Sequence, residues 1–500
     1  NTILETEVSN LNAYNSTSGN INIDNTGDLT IDNFAGFGSG YGVYNNGGSV
    51  FIDVDGSINI PGTFGNGIYA SGNVTLNATG NITAGSDDEM DAIESGENIT
   101  LNAGNNIYLG QNYYADIHAS GNIYLTAGDD ITVDNYTYVI SNNGNITLNA
   151  GRDINIITRV DGEETMIRAW QGSIYLYADR DININGPSYV TIYSYDDTVI
   201  YAGNNISITG GDIDSYGELD INAGNNINIV NSDIYSFYET LMYANNDIQI
   251  SNSEFSTVEG DFYIEAENDI IITSSDIYSE MDIWIDATNN VSITYSSLYS
   301  YYDTNIDAEN NIQISNSNID AAMDIDIYAF SNVNISDSVL ESGDDLTIYS
   351  EDGDIIINSS SLVSGWNLGI NGDYNISIYN SYLYGWDDIY IYGGDGNITI
   401  TNSEIESDWD LDIYTGSNVN ISNTSTYSYN NTYIKAETGD VIIDPSLIVS
   451  DEDVEIIAGN NITIINSQVI AGDSAYLTAG NDIQIGYVEA ENLVDMEAGG

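Results

Sequence analysis

Asn311-Ile312-Gln313-Ile314, Asn316-Ser317-Asn318-Ile319 and Asp324-Ile325-Asp326-Ile327-Tyr328-Ala329 are three short alternating segments that fill one period of this chain. Alternation at period two is the mark of a strand with one buried face. It places Ile312, Ile314, Ile319, Ile325, Ile327 and Ala329 on one side, with Gln313, Asp324, Asp326 and Tyr328 on the other. Pairs such as Asn-Asn, Asn-Ser and Gly-Asp between segments supply bends, because Asn and Gly tolerate the left-handed region.

The pattern recurs almost end to end. Ala103-Gly104-Asn105-Asn106-Ile107, Ala223-Gly224-Asn225-Asn226-Ile227 and Ala458-Gly459-Asn460-Asn461-Ile462 mark it, and from Ile206 onward its first aliphatic residue returns every 21 or 22 residues. A single coil of that length cannot bury its aliphatic face, but stacked coils can, with equivalent positions ~4.8 Å apart. The expected fold is all-β: a parallel β-helix (β-solenoid) with coils of 21–22 residues, forming a rod on the order of 100 Å long. Its narrow apolar interior leaves no space for a cofactor.

Three regions are expected. Residues 1–70 form irregular Gly-rich coils or a cap, including Gly36-Phe37-Gly38-Ser39-Gly40-Tyr41-Gly42. Residues 71–205 form a β-helix with longer coils, and residues 206–500 a regular one. At the far end Met496-Glu497-Ala498-Gly499-Gly500 breaks off inside the repeated phrase, without the polar cap that terminal repeats need. The expectation is a solenoid that continues, or one covered by another copy through head-to-tail or lateral self-assembly.

Five Lys+Arg stand against 77 Asp+Glu, a net charge of −72. Such a charge opposes compaction, yet 42% of residues are hydrophobic, 40 are Tyr and only 3 are Pro, which is strand material rather than tail material. The charge must therefore sit outside the repeat. Nucleic acid, anionic membranes and acidic polysaccharides are disfavoured partners over so long an acidic surface. With no cysteine, neither a disulfide framework nor a thiolate metal site is available, and no apolar run reaches membrane-span length. Asn-x-Ser/Thr sequons recur, among them Asn73, Asn81, Asn145, Asn205, Asn334, Asn375, Asn397 and Asn461. They are glycosylation candidates on an extracellular or cell-surface protein, although Asn, Ser and Thr are abundant enough here to produce sequons without that meaning.

Gly144-Asn145-Ile146-Thr147-Leu148-Asn149-Ala150-Gly151-Arg152-Asp153-Ile154 and Gly121-Asn122-Ile123-Tyr124-Leu125-Thr126-Ala127-Gly128-Asp129-Asp130-Ile131 resemble the repeats of filamentous haemagglutinin-type adhesins. The likeness covers roughly residues 70–490. It implies a right-handed parallel β-helix exported to the cell surface, serving in adhesion and as a fibrous stalk. The chain departs from that family in its acidity, which suits a sheath, surface-layer or filament protein, and in lacking Asn-Pro-Asn secretion motifs.

The sharpest chemical pattern is a ladder at the residue opening the third segment. It runs through Glu218, Glu239, Asp261, Asp282, Asp303, Asp324, Asp345, Asp388, Asp410 and Asp453, with Asn367 and Asn431 in the same column. Carboxylates ~5 Å apart repel by roughly 1 kcal/mol per neighbour in bulk water. Either these residues cap the bends, or their hard oxygens bind a divalent cation, Ca²⁺ being the best match. Outward aromatics form a second pattern: Tyr235, Tyr278, Tyr299 and Tyr384 follow the second segment's aliphatic residue, and Trp366 and Trp409 lie two coils apart. Stacked rings stabilise a sheet laterally, and a flat aromatic strip also suits surface glycans or another copy. Bases are scarce. Arg152, Arg159, Arg168 and Arg180 lie near an acidic insert, Asp161-Gly162-Glu163-Glu164, while Lys435 is isolated and His118 is the sole histidine. Parallel β-helices include polysaccharide-cleaving enzymes, but such sites cluster acid and base groups and interrupt the repeat with loops. Residues 206–483 contain none, so the expectation is a non-enzymatic structural protein, with a glycan-binding adhesin as the alternative.

Overall fold

The computed structural model describes residues 3–34, 40–63, 65–85, 91–110, 114–159 and 164–499, with side chains throughout except at 187–189. Gly36 to Ser39 of the glycine-rich stretch, Asp161 to Glu163 of the acidic insert and Gly500 lie outside the described residues. The described residues are all-β, and the strands stack in parallel as a β-solenoid. Two compact units are distinguished, Asn1–Gly260 and Asp261–Gly500.

In the second unit each coil is built from the three expected segments. Ile312–Ser315 pairs with Val291–Thr294 before it and Val333–Ser336 after it. Asn318–Ala321 lies between Ser297–Ser300 and Val339–Ser342. Ile325–Ala329 lies between Thr304–Ala308 and Leu346–Ser350. These pairings are parallel and in register, so each residue meets its own equivalent one coil away. Ile312, Ile314, Ile319, Ile325, Ile327 and Ala329 are each exposed by 1% or less. Burying such columns is what overcomes the self-repulsion of so acidic a chain.

The first unit uses the same stacking with longer coils. Ile146–Ala150 pairs with Ile123–Ala127 and Ile174–Ala178, and Ile21–Thr26 pairs with Val50–Asp55. Equivalent residues there lie up to 30 positions apart, against 21 or 22 through most of the second unit and 19 in its last third-segment pair. The extra residues are absorbed at corners, while Ile123, Ile146 and Ile174 stay fully buried.

The corner between first and second segments is built the same way in coil after coil. One residue adopts the left-handed conformation, as at Asn316 (φ 51°), Asn380 (φ 51°) and Asn402 (φ 54°). The next residue is a buried Ser. In the second unit Ser275, Ser296, Ser317, Ser338, Ser360 and Ser381 each donate a backbone N–H to the hydroxyl of the Ser one coil on, at 3.2 Å. Ser317 and Ser338 return their hydroxyl protons to the carbonyls of Ser315 and Ser336. This column satisfies backbone donors that the corner takes out of the sheet ladder.

Candidate functional site

The acidic column sits where the chain enters the third segment, and its bonding explains its recurrence. The N–H of Asp282 donates to a carboxylate oxygen of Asp261 (3.1 Å), Asp303 to Asp282 (3.0 Å), Asp324 to Asp303 (3.0 Å) and Asp345 to Asp324 (2.8 Å). Asn367 and Asp388 continue the chain, Asp410 donates to Asp388 (3.0 Å), and Asn431 donates to Asp410 (2.8 Å). All these side chains are partly buried. Each therefore caps the next coil's corner, the Asp members with a charge-assisted hydrogen bond. The Asn members can replace Asp because the bond needs an acceptor, not a charge. Among the described residues, no three His, Cys, Asp or Glu side chains converge to hold a metal ion. The carboxylates form a row rather than a cage.

A parallel column precedes the first segment and contains several of the sequons. Asn375 accepts the N–H of Asn397 and donates its own amide to Asp354, and Asn397 donates to Asn375 in turn. Asn205 donates to Asp181, and Asn461 to Asp440. Asn81 accepts from Asn106, while Asn145 stands instead in the column that opens the third segment and accepts there from Ser173. Asn73, also in the third-segment column, accepts from Asn98 and donates to Glu97. Asn334 differs: it stands exposed on the strand Val333–Ser336.

The scarce cations are spent on these columns and on aromatic faces. Arg152 and Arg180 pair with Asp130 and Asp153 of the preceding coil, and Arg159 reaches Asp134 at 2.6 Å. The hydrogen bond from Arg152 holds the Asp130 carboxyl below its ordinary range. The Arg168 guanidinium lies 4.4 Å from the Trp170 ring and 4.9 Å from that of Tyr193. His118 is half-buried on the strand Asp116–Ala119, between Glu94 and Ile140 in register. The outward tyrosines stack between coils, with Tyr278 and Tyr299 at 5.4 Å and 3° and Tyr216 tilted against Tyr235 at 5.6 Å. The Tyr384 hydroxyl donates to Asp408 at 3.0 Å.

Three indoles gather at the corner between second and third segments. Trp366, Trp386 and Trp409 occupy this corner in consecutive coils, followed by Tyr429 in the next. Their exposures are 57%, 67%, 52% and 61%. Backbone bonds lock the spacing: Trp366 N–H donates to Asp344, Trp386 to Ser364 and Trp409 to Asp387. The four rings, with Gly343, Gly365, Asp387 and Asp408, line an open hollow of about 960 Å³. Glycine is required beneath it. A Cβ on Gly365 would lie 1.8 Å from the Gly343 carbonyl oxygen, and one on Gly343 would lie 2.1 Å from that of Ala322. Sequence reading found Trp366 and Trp409 but passed over Trp386, although its place in the coil between them, one residue earlier in register, was a usable signal. The buried Ser column was also missed, although Ser follows the corner residue at nearly every period.

The family described as hemagglutinin repeat matches residues 443–492. Together with the solenoid, this match supports a filamentous haemagglutinin-like β-helix repeat protein. No curated protein and no solved structure matches the chain significantly. The hemagglutinin-repeat match covers the strands Ser446–Ser450, Val454–Ala458, Ile462–Ala471, Ser474–Ala479 and Ile483–Ala490. It is thus a likeness of scaffold. The indole corner lies outside the matched stretch and belongs to this chain's own surface.

Proposed function

We propose that the protein is a non-enzymatic, cell-surface solenoid of the adhesin type that binds glycans along the corner row Trp366, Trp386, Trp409 and Tyr429. The observation that carries this reading is the row itself. Exposed large aromatics are ordinary when scattered, but a contiguous run of four indicates a partner. Aromatic faces stack on the C–H faces of pyranose rings, while Asp387 and Asp408 accept hydroxyl protons, and one ring per coil, alternating between two adjacent columns, suits a chain of sugars lying along the corner. No cationic side chain lines the hollow, so acidic glycans are disfavoured and neutral or amino sugars favoured. A glycan array probed with wild type and with Trp366→Ala/Trp409→Ala tests it. Binding should fall at least tenfold in the double variant, and an array on which wild type captures nothing overturns the reading.

A second reading, self-assembly into filaments or a sheath bridged by Ca²⁺, is supported by the form of the acidic column. A row of carboxylates that lend one oxygen to the next corner offers ligands outward rather than enclosing an ion, so cations would be shared between copies. Bridging would also relieve a net charge of −72. Electron microscopy with Ca²⁺ and with a chelator should show chelator-sensitive assemblies. Monodisperse particles in both conditions would refute it.

A further inference from the structure

The outward face of the third segments holds a second aromatic site, separate from the indole corner. One column on this face reads Tyr328, Tyr349, Asn371, Tyr392, Tyr414, Lys435 in successive coils. Where tyrosines are adjacent their rings meet, as for Tyr328 and Tyr349 at 5.2 Å and 13°. Asn371 interrupts the column. The neighbouring column loses its side chain in the same coil: Gly369 stands between Thr347 and Tyr390 in register. The only atom a Cβ there would approach is the Asn371 amide nitrogen, at 3.3 Å. A groove of about 470 Å³ lies over Asn371 and Gly372, walled by Tyr349, Tyr392, Tyr414 and Tyr433 and bearing the carboxylates of Asp373 and Asp412.

We propose that this groove binds a quaternary or alkylated ammonium group, sandwiched between Tyr349 and Tyr392. Those two tyrosines are two coils apart, a separation of roughly 10 Å at the usual strand spacing. A cation seated above the Asn371 amide, between the outer parts of the two rings, lies about 5 Å from each, inside the reach of a cation–π contact. The protein already makes this contact next to the groove, where the ammonium of its one lysine, Lys435, sits 5.1 Å from the Tyr414 ring. Charge agrees: Asp373 and Asp412 supply negative potential, and no cationic side chain lines the groove. A sugar ring is thinner than the gap and would touch one wall only, so a bulky, weakly hydrated cation fits better.

Choline chloride is the probe, followed by ligand-observed NMR in 150 mM NaCl. Its uncharged isostere 3,3-dimethyl-1-butanol reports shape without charge, and cellobiose reports sugar binding. Choline should bind saturably and at least tenfold more tightly than the isostere. Tyr392→Leu and Tyr349→Leu should each weaken it at least tenfold, while Tyr392→Phe, which keeps the ring, should stay within about threefold. Trp366→Ala should leave choline binding unchanged, which separates this site from the glycan row. Equal response to choline and isostere, an unaltered affinity in both Leu variants, or binding of cellobiose alone would overturn the proposal.

Discussion

At the scale of single residues, one side chain type serves several purposes that sequence cannot separate. Asp324 accepts the Asp345 N–H while lying one coil from Asp303 and Asp345. Burial raises its pKa above the ordinary carboxylate range, opposed by the Asp345 hydrogen bond and reinforced by the neighbouring charges. Its charge therefore costs what its geometry contributes. Asp324→Asn keeps the acceptor and removes the repulsion, and should leave stability within about 0.5 kcal/mol or raise it. Asp324→Ala leaves the Asp345 N–H without that acceptor and should cost ~1–2 kcal/mol. Hydrogen exchange at the Asp345 amide reads the difference, with exchange faster by about tenfold in the Ala variant only. The same logic divides the sequons. Asn205, Asn375, Asn397 and Asn461 each spend their amide nitrogen on the preceding coil, whereas Asn334 stands exposed. Expressed in a glycosylating host, the protein should carry glycan at Asn334 and little at those four, as peptide mass mapping would show.

At the scale of the coil, the corners carry the strain. The left-handed corner position is filled mostly by Asn, but Tyr295 (φ 53°) occupies it in one coil. A bulky residue there costs of order 1–3 kcal/mol, because its Cβ crowds the backbone. Tyr295→Asn should raise the melting temperature, by about 1 kcal/mol in stability. Asn316→Val should lower it by a similar amount or more, as circular dichroism melts of the two variants would report. Corners are also where the sequence was least legible. Strands such as Ile325–Ala329 follow from alternation, since only one register buries both Ile325 and Ile327. Asp324 and Asn375, by contrast, are compatible with a turn, a metal ligand, a glycan site or a cap. Which one holds depends on the residue a coil away, roughly 21 positions along the chain. The groove over Asn371 was illegible for a related reason. A surface hollow is made by what several coils place side by side, and no single window of sequence contains it.

At the scale of the whole molecule, the decisive quantity is how the excess of carboxylates titrates. Burial, aided by the charges of Asp214 and Asp233, pushes the Asp212 carboxyl up to about 6. Burial likewise raises Asp214, Asp220, Asp320 and Asp412 above the ordinary range, and Asp130, held down by Arg152, runs the other way. A raised carboxyl takes up its proton in the folded protein before it does in the unfolded chain. The stability it confers is thus fully present below the unfolded value near 4 and is lost as pH rises through the folded value. Summed over the chain, acidification from pH 7 to about pH 4.5 should stabilise this protein, the reverse of ordinary acid denaturation. The tyrosines set the opposite limit. Burial and the Glu265 hydrogen bond raise Tyr263 to about 12, and the Glu351 hydrogen bond, ahead of burial, raises Tyr328 to about 12. The unfolded chain loses its phenolic protons near pH 10 while the folded one retains them, so stability should fall between about pH 10 and 12. Melting temperatures measured at constant ionic strength should therefore peak between pH 4 and 5, stay lower through neutrality and drop again above pH 10. A curve that falls steadily from pH 7 to pH 4.5 would mean that the carboxylate columns are net stabilising as charged groups. The corner hydrogen bonds of Asp261 to Asp410 would then outweigh the repulsion between coils.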